Sequence, residues 1–492
     1  MDIDRPLPNP MTPESKPYWD GLREQKLMLP KCGACGHVFW YPRVACPKCS
    51  ARNIGWIQSK GRGTLHSFEI GYQSFNKAFK VPTPYVLAMV ELAEGPRLLS
   101  NLINVEADPK KLKCDMPVEV VFQKLTDEVT LPHKRQLSLH VEAVTNAVRD
   151  AGLKVSDVDG IFTAGQHSPA TIGEALGITP RYVDGTSVGG CSFIIMVGHA
   201  VAALHHGLCD VAVISHGESG RSQVGVSPRR DTAIPGQFEA PYGFGPAPTM
   251  FGLITTRHMH QYGTTLEQWA QVAVSTRKWA SLNPKALRRD PLTVEDVLKA
   301  RPVVWPFTVL NICLVTDAGG AVVLTRADRA KDCAKKPVYV RGLGEGTEHV
   351  SLTQMKDLTF SEATRISGDK AFRMAGVGPT DFQHIMLYDA FTSGPPIMLE
   401  SLGIAKRGEG VQYFTEGRST PGGSLPINTN GGGLSYTHTG MYGIFPIIEA
   451  ARQLRGECGA RQVPNLKTSL VNGMGGMLSA AGTLVLSNDG AR

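Results

Sequence analysis

Two stretches of this chain repeat one pattern, and the repeat limits the folds open to it. Ala147, Arg149, Ala151, Gly152, Leu153, Asp157, Val158 and Ile161 recur at identical spacing as Ala371, Arg373, Ala375, Gly376, Val377, Asp381, Phe382 and Ile385. Each copy reads as an amphipathic helix, a glycine stop, an Asp-containing turn and a buried strand. A repeat at this distance makes two half-domains, because a solenoid needs several short periods. Strands and helices alternate through 161–164, 192–208, 211–215, 321–325, 337–341, 385–388, 443–455, 467–471 and 481–487, which favours layered α/β with helices covering sheets.

Between the copies, residues 183–217 carry the strongest chemical signal. Gly189 and Gly190 form a turn without Cβ atoms, Ser192 to Leu208 runs as a mostly apolar helix, and Val211 to Ser215 reads as a buried strand. Cys191 stands between turn and helix. A thiol at the first turn of a buried helix faces free N–H groups and the positive end of the dipole, which favour the thiolate over a thiol of pKa about 8.5. The alternative is a small buried residue closing a glycine turn. The counterpart loop in the second half, NTNGGGLSYTHTGMYG at 428–443, is also glycine-rich and also opens a helix. A pseudo-two-fold axis therefore lets Cys191 and His438 converge on one pocket as nucleophile and base. Outside that context His438 reads as a core or loop histidine.

The formal charge of +7 comes from scattered Lys and Arg, which suits solubility and anionic small molecules rather than nucleic acid. The opening MDIDRPLPNP has no basic segment leading into an apolar one, and the longest apolar run, inside 193–204, is too short to span a bilayer. A cytoplasmic protein without membrane insertion is expected. Ten cysteines in 492 residues do not make a disulfide scaffold. Four of them, Cys32, Cys35, Cys46 and Cys49, fall as CxxC, ten residues, CxxC, the spacing of a four-thiolate zinc site, with a redox dithiol or unligated cysteines as the alternatives. Four thiolates close the coordination sphere, so such a metal is structural.

Residues 11–30 read as an amphipathic lead-in helix with Trp19, Leu22 and Leu27 on its apolar side. After the cysteines, 64–71, 85–92, 97–103 and 118–125 have strand length and pattern, predicting a small all-β barrel. Its aromatics, Phe68, Tyr72, Phe75, Phe79 and Tyr85, lack the basic row that single-stranded nucleic acid requires. The division is then 1–30 helical lead-in, 31–55 zinc ribbon, 56–132 barrel and 133–492 duplicated domain, with halves of about 133–335 and 336–492.

Lead-in, ribbon and barrel, closing on TDEVTLP at 126–132, resemble the acyl-CoA-associated OB-fold proteins with a rubredoxin-like zinc ribbon. The duplicated domain resembles the thiolase superfamily, especially sterol-carrier-protein thiolases and the aldolases that pair with zinc-ribbon OB proteins. GGCSF at the cysteine loop, NICLVTDAGGAVVLT at 311–325, YDAF at 388–391, GGGLSYTHTG at 431–440 and VNGMGG at 471–476 carry that likeness. It implies a duplicated α/β/α/β/α thiolase fold behind a zinc ribbon and an OB-fold barrel. It also implies Cys191 as acyl acceptor, His438 as its base, Tyr388 and Asp389 in a loop that orders a water or donor, and backbone N–H groups around Gly190, Gly473 and Gly475 as an oxyanion site. Zinc, coenzyme A, acyl-CoA and a homodimer or larger assembly follow from the same likeness.

Where this chain departs from the family is informative. Thiolases carry a second cysteine as acid and base, yet the two loops that hold it read Val471, Asn472, Gly473 and Tyr388, Asp389, Ala390, Phe391 here. Tyr388, Tyr436, Tyr442 or water become the candidate proton donors, with Tyr436 and Tyr442 also candidate substrate contacts. The related aldolases carry Ser or Ala in place of the nucleophile; retention of Cys191 favours thiolysis of a bulky or branched 3-oxoacyl-CoA, as in lipid or aromatic degradation. The alternatives are retro-aldol cleavage of a 3-hydroxyacyl-CoA of steroid side-chain type and a non-catalytic acyl-CoA or lipid carrier. The strand that usually opens a thiolase domain is missing at the seam, 132–137.

Three further features have plainer readings. HGESGRS at 216–222 lacks the spacing of a serine-hydrolase elbow. Arg229 and Arg230, in the Pro- and Gly-rich stretch 226–250, are candidates for coenzyme A phosphates. Cys114, Cys209, Cys313, Cys333 and Cys458 read as packing or surface thiols.

Overall fold

The two repeat glycines end their helices identically. In the computed structural model Gly152 and Gly376 adopt φ of +76° and +67°, left-handed values that glycine takes without a Cβ penalty. Gly152 N–H donates to Arg149 O and Leu153 N–H to Val148 O; Gly376 N–H donates to Arg373 O and Val377 N–H to Phe372 O. The following turns match as well, with Asp157 accepting Lys154 N–H and Asp381 accepting Gly378 N–H, both at 2.8 Å. The structure describes residues 16–40, 42, 45–71, 82, 84–108, 111–122, 136–222, 247–349 and 352–490. They fall into two compact units, Met1–Arg135 and Gln136–Arg492.

In the first unit, helix α1 (Lys16–Arg23) is followed by strands β1 (Met28–Cys32) and β2 (Ile54–Gln58), which pair antiparallel around the cysteines. The lead-in helix expected to reach residue 30 therefore stops at Arg23. The alternation Leu27-Met-Leu29 buries both leucines under a strand instead. Strands β3 (Arg62–Gly71), β4 (Tyr85–Leu92), β5 (Arg97–Leu102) and β6 (Pro117–Glu119) form an antiparallel sheet in the order β5-β4-β3-β6. Tyr72, Phe75, Phe79 and the 126–132 segment lie outside the described residues.

The second unit contains two sheets. In the first half, helix α2 (Gln136–Asp150) leads to β7 (Gly160–Thr163), α3 (Pro169–Leu176), β8 (Tyr182–Asp184), α4 (Ser192–His205) and β9 (Val211–Ser219). Helices α5 (Ala247–Tyr262) and α6 (Leu266–Ser281) precede β10 (Asp317–Thr325), and the sheet order is β10-β9-β7-β8. The second half runs β11 (Tyr339–Thr347), α7 (Glu362–Ala375), β12 (Ile385–Leu387), α8 (Gly394–Ser401), α9 (Ile444–Arg455), β13 (Thr468–Gly475) and β14 (Ala480–Ser487), with order β11-β14-β13-β12. Helices α4 and α9 each pack on strands of both sheets, while α2 and α7 cover the outer faces. The result is five layers.

The halves differ at one edge. Strand β14 is buried at every position between β11 and β13, whereas β10 is mostly half-buried and pairs with β9 on one side. Among the described residues nothing in the first half corresponds to β11; the seam before α2, 123–135, lies outside them. Among the described residues no helix is long and apolar enough to cross a membrane.

Strand β11 also shows why α7 approaches its sheet so closely. A Cβ on Gly342, Gly344 or Gly346 would lie 2.1, 2.0 or 2.3 Å from the carbonyl oxygens of Ala371, Ser367 and Ala363. Gly344→Val should therefore force helix and sheet apart and cost about 1–3 kcal/mol. The unfolding midpoint in urea is expected to fall; an unchanged midpoint would contradict this packing.

Candidate active site

The two CxxC turns of the ribbon bring Cys32, Cys35, Cys46 and Cys49 together. All four sulfur atoms lie within 4.8 Å of one another. Cys32 and Cys49 are 3.6 Å apart, Cys35 and Cys46 3.7 Å. A tetrahedron with zinc–sulfur bonds of about 2.3 Å has sulfur–sulfur edges of about 3.8 Å, so the set fits zinc. Cys35 N–H and Lys48 N–H point at Cys32 Sγ (3.5 Å) and Cys46 Sγ (3.4 Å), stabilising thiolates. Such a zinc would hold the knuckles together and leave no open position for chemistry.

In the second unit, Cys191 is the N-cap residue of α4 and is fully buried. The turn before it is fixed by close backbone approach. Gly189 has φ +87°, and a Cβ there would lie 2.8 Å from Gly476 N; a Cβ on Gly190 would lie 2.1 Å from Tyr388 Cε2. Ser192 Oγ closes the turn, accepting Val188 N–H at 3.0 Å and donating to Gly189 O at 2.6 Å. Gly475 is equally constrained, since a Cβ would lie 1.9 Å from Val188 O and 2.9 Å from Cys191 Sγ. Gly473 is filled by Ile194 Cδ1 at 2.5 Å.

The helix N-terminus does not decide the state of the thiol. Burial pushes Cys191 up to about 12, against the lowering from its own backbone N–H, and the Glu345 carboxylate adds to the rise. This corrects the sequence expectation of a lowered pKa: desolvation of a fully buried sulfur outweighs the dipole. Among the described residues, its hydrogen-bond partner is Val188 O at 3.9 Å, not His438.

His438 is turned to another partner. Its backbone is fixed to Thr316, donating to Oγ1 at 3.1 Å and accepting from N–H at 2.9 Å. Gly440 N–H donates to Nδ1 at 3.3 Å, which makes Nδ1 an acceptor and places the proton of the neutral ring on Nε2. Burial lowers His438 to about 4, so the ring is neutral at pH 7. Nε2 lies 3.0 Å from Tyr388 Oη and, in this tautomer, donates to it. Tyr442 N–H donates to the same oxygen at 3.0 Å. Tyr388 Oη thus accepts two N–H bonds and retains its own proton. Burial holds the phenol well above its ordinary pKa of 10.0.

Two other tyrosine candidates face elsewhere. Tyr442 Oη donates to Asn430 Oδ1 at 2.9 Å. Tyr436 lines a separate polar pocket with Lys285, Glu449, Arg452 and Arg461. Asp389 is fully buried and accepts Gly433 N–H at 2.6 Å and Leu434 N–H at 3.4 Å, shaping the glycine loop. Burial raises its carboxyl to about 7. Arg229 and Arg230 lie outside the described residues.

Cys313, a packing or surface thiol by its sequence, has a more particular place in the structure. Its N–H donates to Ala390 O at 2.8 Å, which brings it beside the Tyr388–Asp389 loop; burial, and then Asp389, push its thiol up to about 12. Its spacing from the loop in the chain hid this. The available signal was its place inside NICLVTDAGG, between two segments that meet only in three dimensions.

Known proteins resemble both units. Residues 19–55 match the ChsH2 rubredoxin-like zinc ribbon domain, 56–123 the ChsH2 C-terminal OB-fold domain and 344–488 the thiolase C-terminal domain-like family. An acetyl-CoA acetyltransferase of Methanothermobacter thermautotrophicus is 30% identical over 70% of this chain and 93% of its own length. The 17-hydroxy-3-oxo-4-pregnene-20-carboxyl-CoA lyase of Mycobacterium tuberculosis is 33% identical over 66% and 87%. A solved Ltp2-ChsH2(DUF35) aldolase is 30% identical, covers 72% of this chain and 93% of that one, and superposes with a TM-score of 0.67.

The metal reading has a direct check. Purified protein should contain about one zinc per chain by elemental analysis, and Cys46→Ser should remove most of it and lower the stability of the first unit. Metal-free wild-type protein with an intact first unit would contradict it.

Proposed function

The chain belongs to the thiolase superfamily and carries zinc-ribbon and OB-fold domains of the ChsH2 kind, and from this premise we propose that it cleaves a carbon–carbon bond of an acyl-CoA by retro-aldol chemistry. The substrate is a 3-hydroxyacyl-CoA whose acyl part is bulky, of the kind named for the steroid-cleaving relatives. One observation carries the reading: Tyr388 Oη receives N–H groups from Tyr442 and His438 and keeps an O–H to give.

In this reaction the bond between C2 and C3 breaks. The 3-hydroxyl becomes a carbonyl, and the bonding pair moves to C2 as the enolate of the shorter acyl-CoA. Tyr388 gives its proton to C2, and the proton from the 3-hydroxyl passes to the Tyr388–His438 pair, restoring it. The two N–H donors to Tyr388 stabilise the charge that develops on its oxygen. Asp389 keeps the glycine loop in place through Gly433 and Leu434. No free coenzyme A is consumed.

Thiolysis is the second reading, favoured by the cysteine held at the α4 N-cap against Gly475. There the Cys191 thiolate attacks C3 of a 3-oxoacyl-CoA, the shorter acyl-CoA leaves as its enolate and is protonated, and coenzyme A takes the acyl group from sulfur. The acetyltransferase relative supports it.

Wild type, Cys191→Ala and Tyr388→Phe should be compared on 3-hydroxyacyl-CoA and 3-oxoacyl-CoA panels, the first including 17-hydroxy-3-oxo-4-pregnene-20-carboxyl-CoA. Cleavage of a 3-hydroxyacyl-CoA should survive Cys191→Ala within about 10-fold and fall about 10²–10⁴-fold in Tyr388→Phe. An acyl adduct on Cys191, with coenzyme A consumption lost in Cys191→Ala, would sink the aldolase reading in favour of thiolysis.

A further inference from the structure

The HGES stretch at 216–219 ends β9 directly against the histidine loop. His216 Nε2 is 2.6 Å from Thr439 Oγ1, and a Cβ on Gly220 would lie 2.1 Å from Thr439 O. Between these contacts Glu218 Oε2 accepts Met441 N–H at 3.1 Å. Gly440, at φ +126°, passes so close that a Cβ would lie 2.7 Å from either carboxylate oxygen.

Three successive backbone N–H groups therefore meet three acceptors. Gly440 N–H is on His438 Nδ1, Met441 N–H on Glu218 Oε2 and Tyr442 N–H on Tyr388 Oη. A carboxylate holding the middle N–H anchors the segment one residue from each of the two N–H groups that meet His438 and Tyr388.

The internal symmetry isolates what the carboxylate does. Ile161 pairs with Val213 and its repeat mate Ile385 with Leu470, so Glu218 on β9 corresponds to Gly475 on β13. The N-caps Cys191 and Gly443 correspond too, which matches Val188 to Gly440 and Gly189 to Met441. In the cysteine half, Gly475 lets backbone press on backbone at Val188. In the histidine half, a carboxylate spans the equivalent place and binds an N–H.

We infer that Glu218 is a positioning residue, holding Met441 N–H so that the flanking N–H groups orient His438 and Tyr388. The inference rests on the proposed function in taking Tyr388 and His438 as the reacting pair.

Glu218→Ala and Glu218→Gln should be assayed beside Tyr388→Phe on the acyl-CoA found productive above. Glu218→Ala should lose about 10–10²-fold in kcat with KM within about 3-fold, as expected for a misplaced reacting group. Glu218→Gln keeps an oxygen acceptor at the same reach and should restore most of the loss. Wild-type kcat in Glu218→Ala, or a loss confined to KM, overturns the inference while Tyr388→Phe remains inactive. Wild-type kcat in Tyr388→Phe overturns the underlying reading instead. If Glu218→Ala does not fold, Glu218→Asp replaces it, keeping the charge but withdrawing the oxygen. Loss in Asp with retention in Gln supports the hydrogen bond, and the reverse order overturns it.

Discussion

The packing of the Tyr388 ring against Gly190 is the contact on which the site depends. Any Cβ on Gly190 would stand inside that ring, so the cysteine loop of one half and the tyrosine strand end of the other are mutually fixed. The hydroxyl is then delivered to the histidine loop, where two N–H groups converge on it. A site made from two half-domains needs a rigid seam, and here glycines at 189, 190, 443 and 475 let backbones and rings meet without intervening side chains.

Burial decides the protonation states more than any local dipole. Cys191 has the helix N-terminus that sequence reasoning requires, yet desolvation raises it to about 12. The same burial lowers His438 to about 4 and keeps the Tyr388 phenol protonated. The resting site is accordingly a neutral cluster, with a thiol, an imidazole and a phenol. Within it Tyr388 is the group on which two N–H donors converge while it keeps its own O–H, and that geometry is why Tyr388 leads the proposed chemistry.

The sequence repeat was legible down to hydrogen bonds, since glycine stops and Asp turns are set by residues a few positions apart. The metal cluster was legible for the same reason: CxxC pairs impose their own knuckles. The fold behind Cys191 and His438 followed from periodicity and resemblance. The partner of His438 did not, because Tyr388 and His438 are fifty positions apart and their meeting depends on packing against Gly190. The place of Cys313 beside Asp389 and the reach of Glu218 to Met441 were hidden likewise, as contacts between strand ends and loops carry no period in the chain. The end of the lead-in helix was missed because a short Leu-x-Leu alternation before Cys32 reads equally as the last turn of a helix.

In the proposed reaction, proton transfer at the α-carbon runs through Tyr388. It can be tested without the full substrate, by following deuterium incorporation from heavy water into the methyl or methylene group of acetyl-CoA or propionyl-CoA by mass spectrometry. Exchange that persists in Cys191→Ala and disappears in Tyr388→Phe is the predicted result. Exchange lost in Cys191→Ala and retained in Tyr388→Phe would contradict it and return the cysteine to the centre of the chemistry.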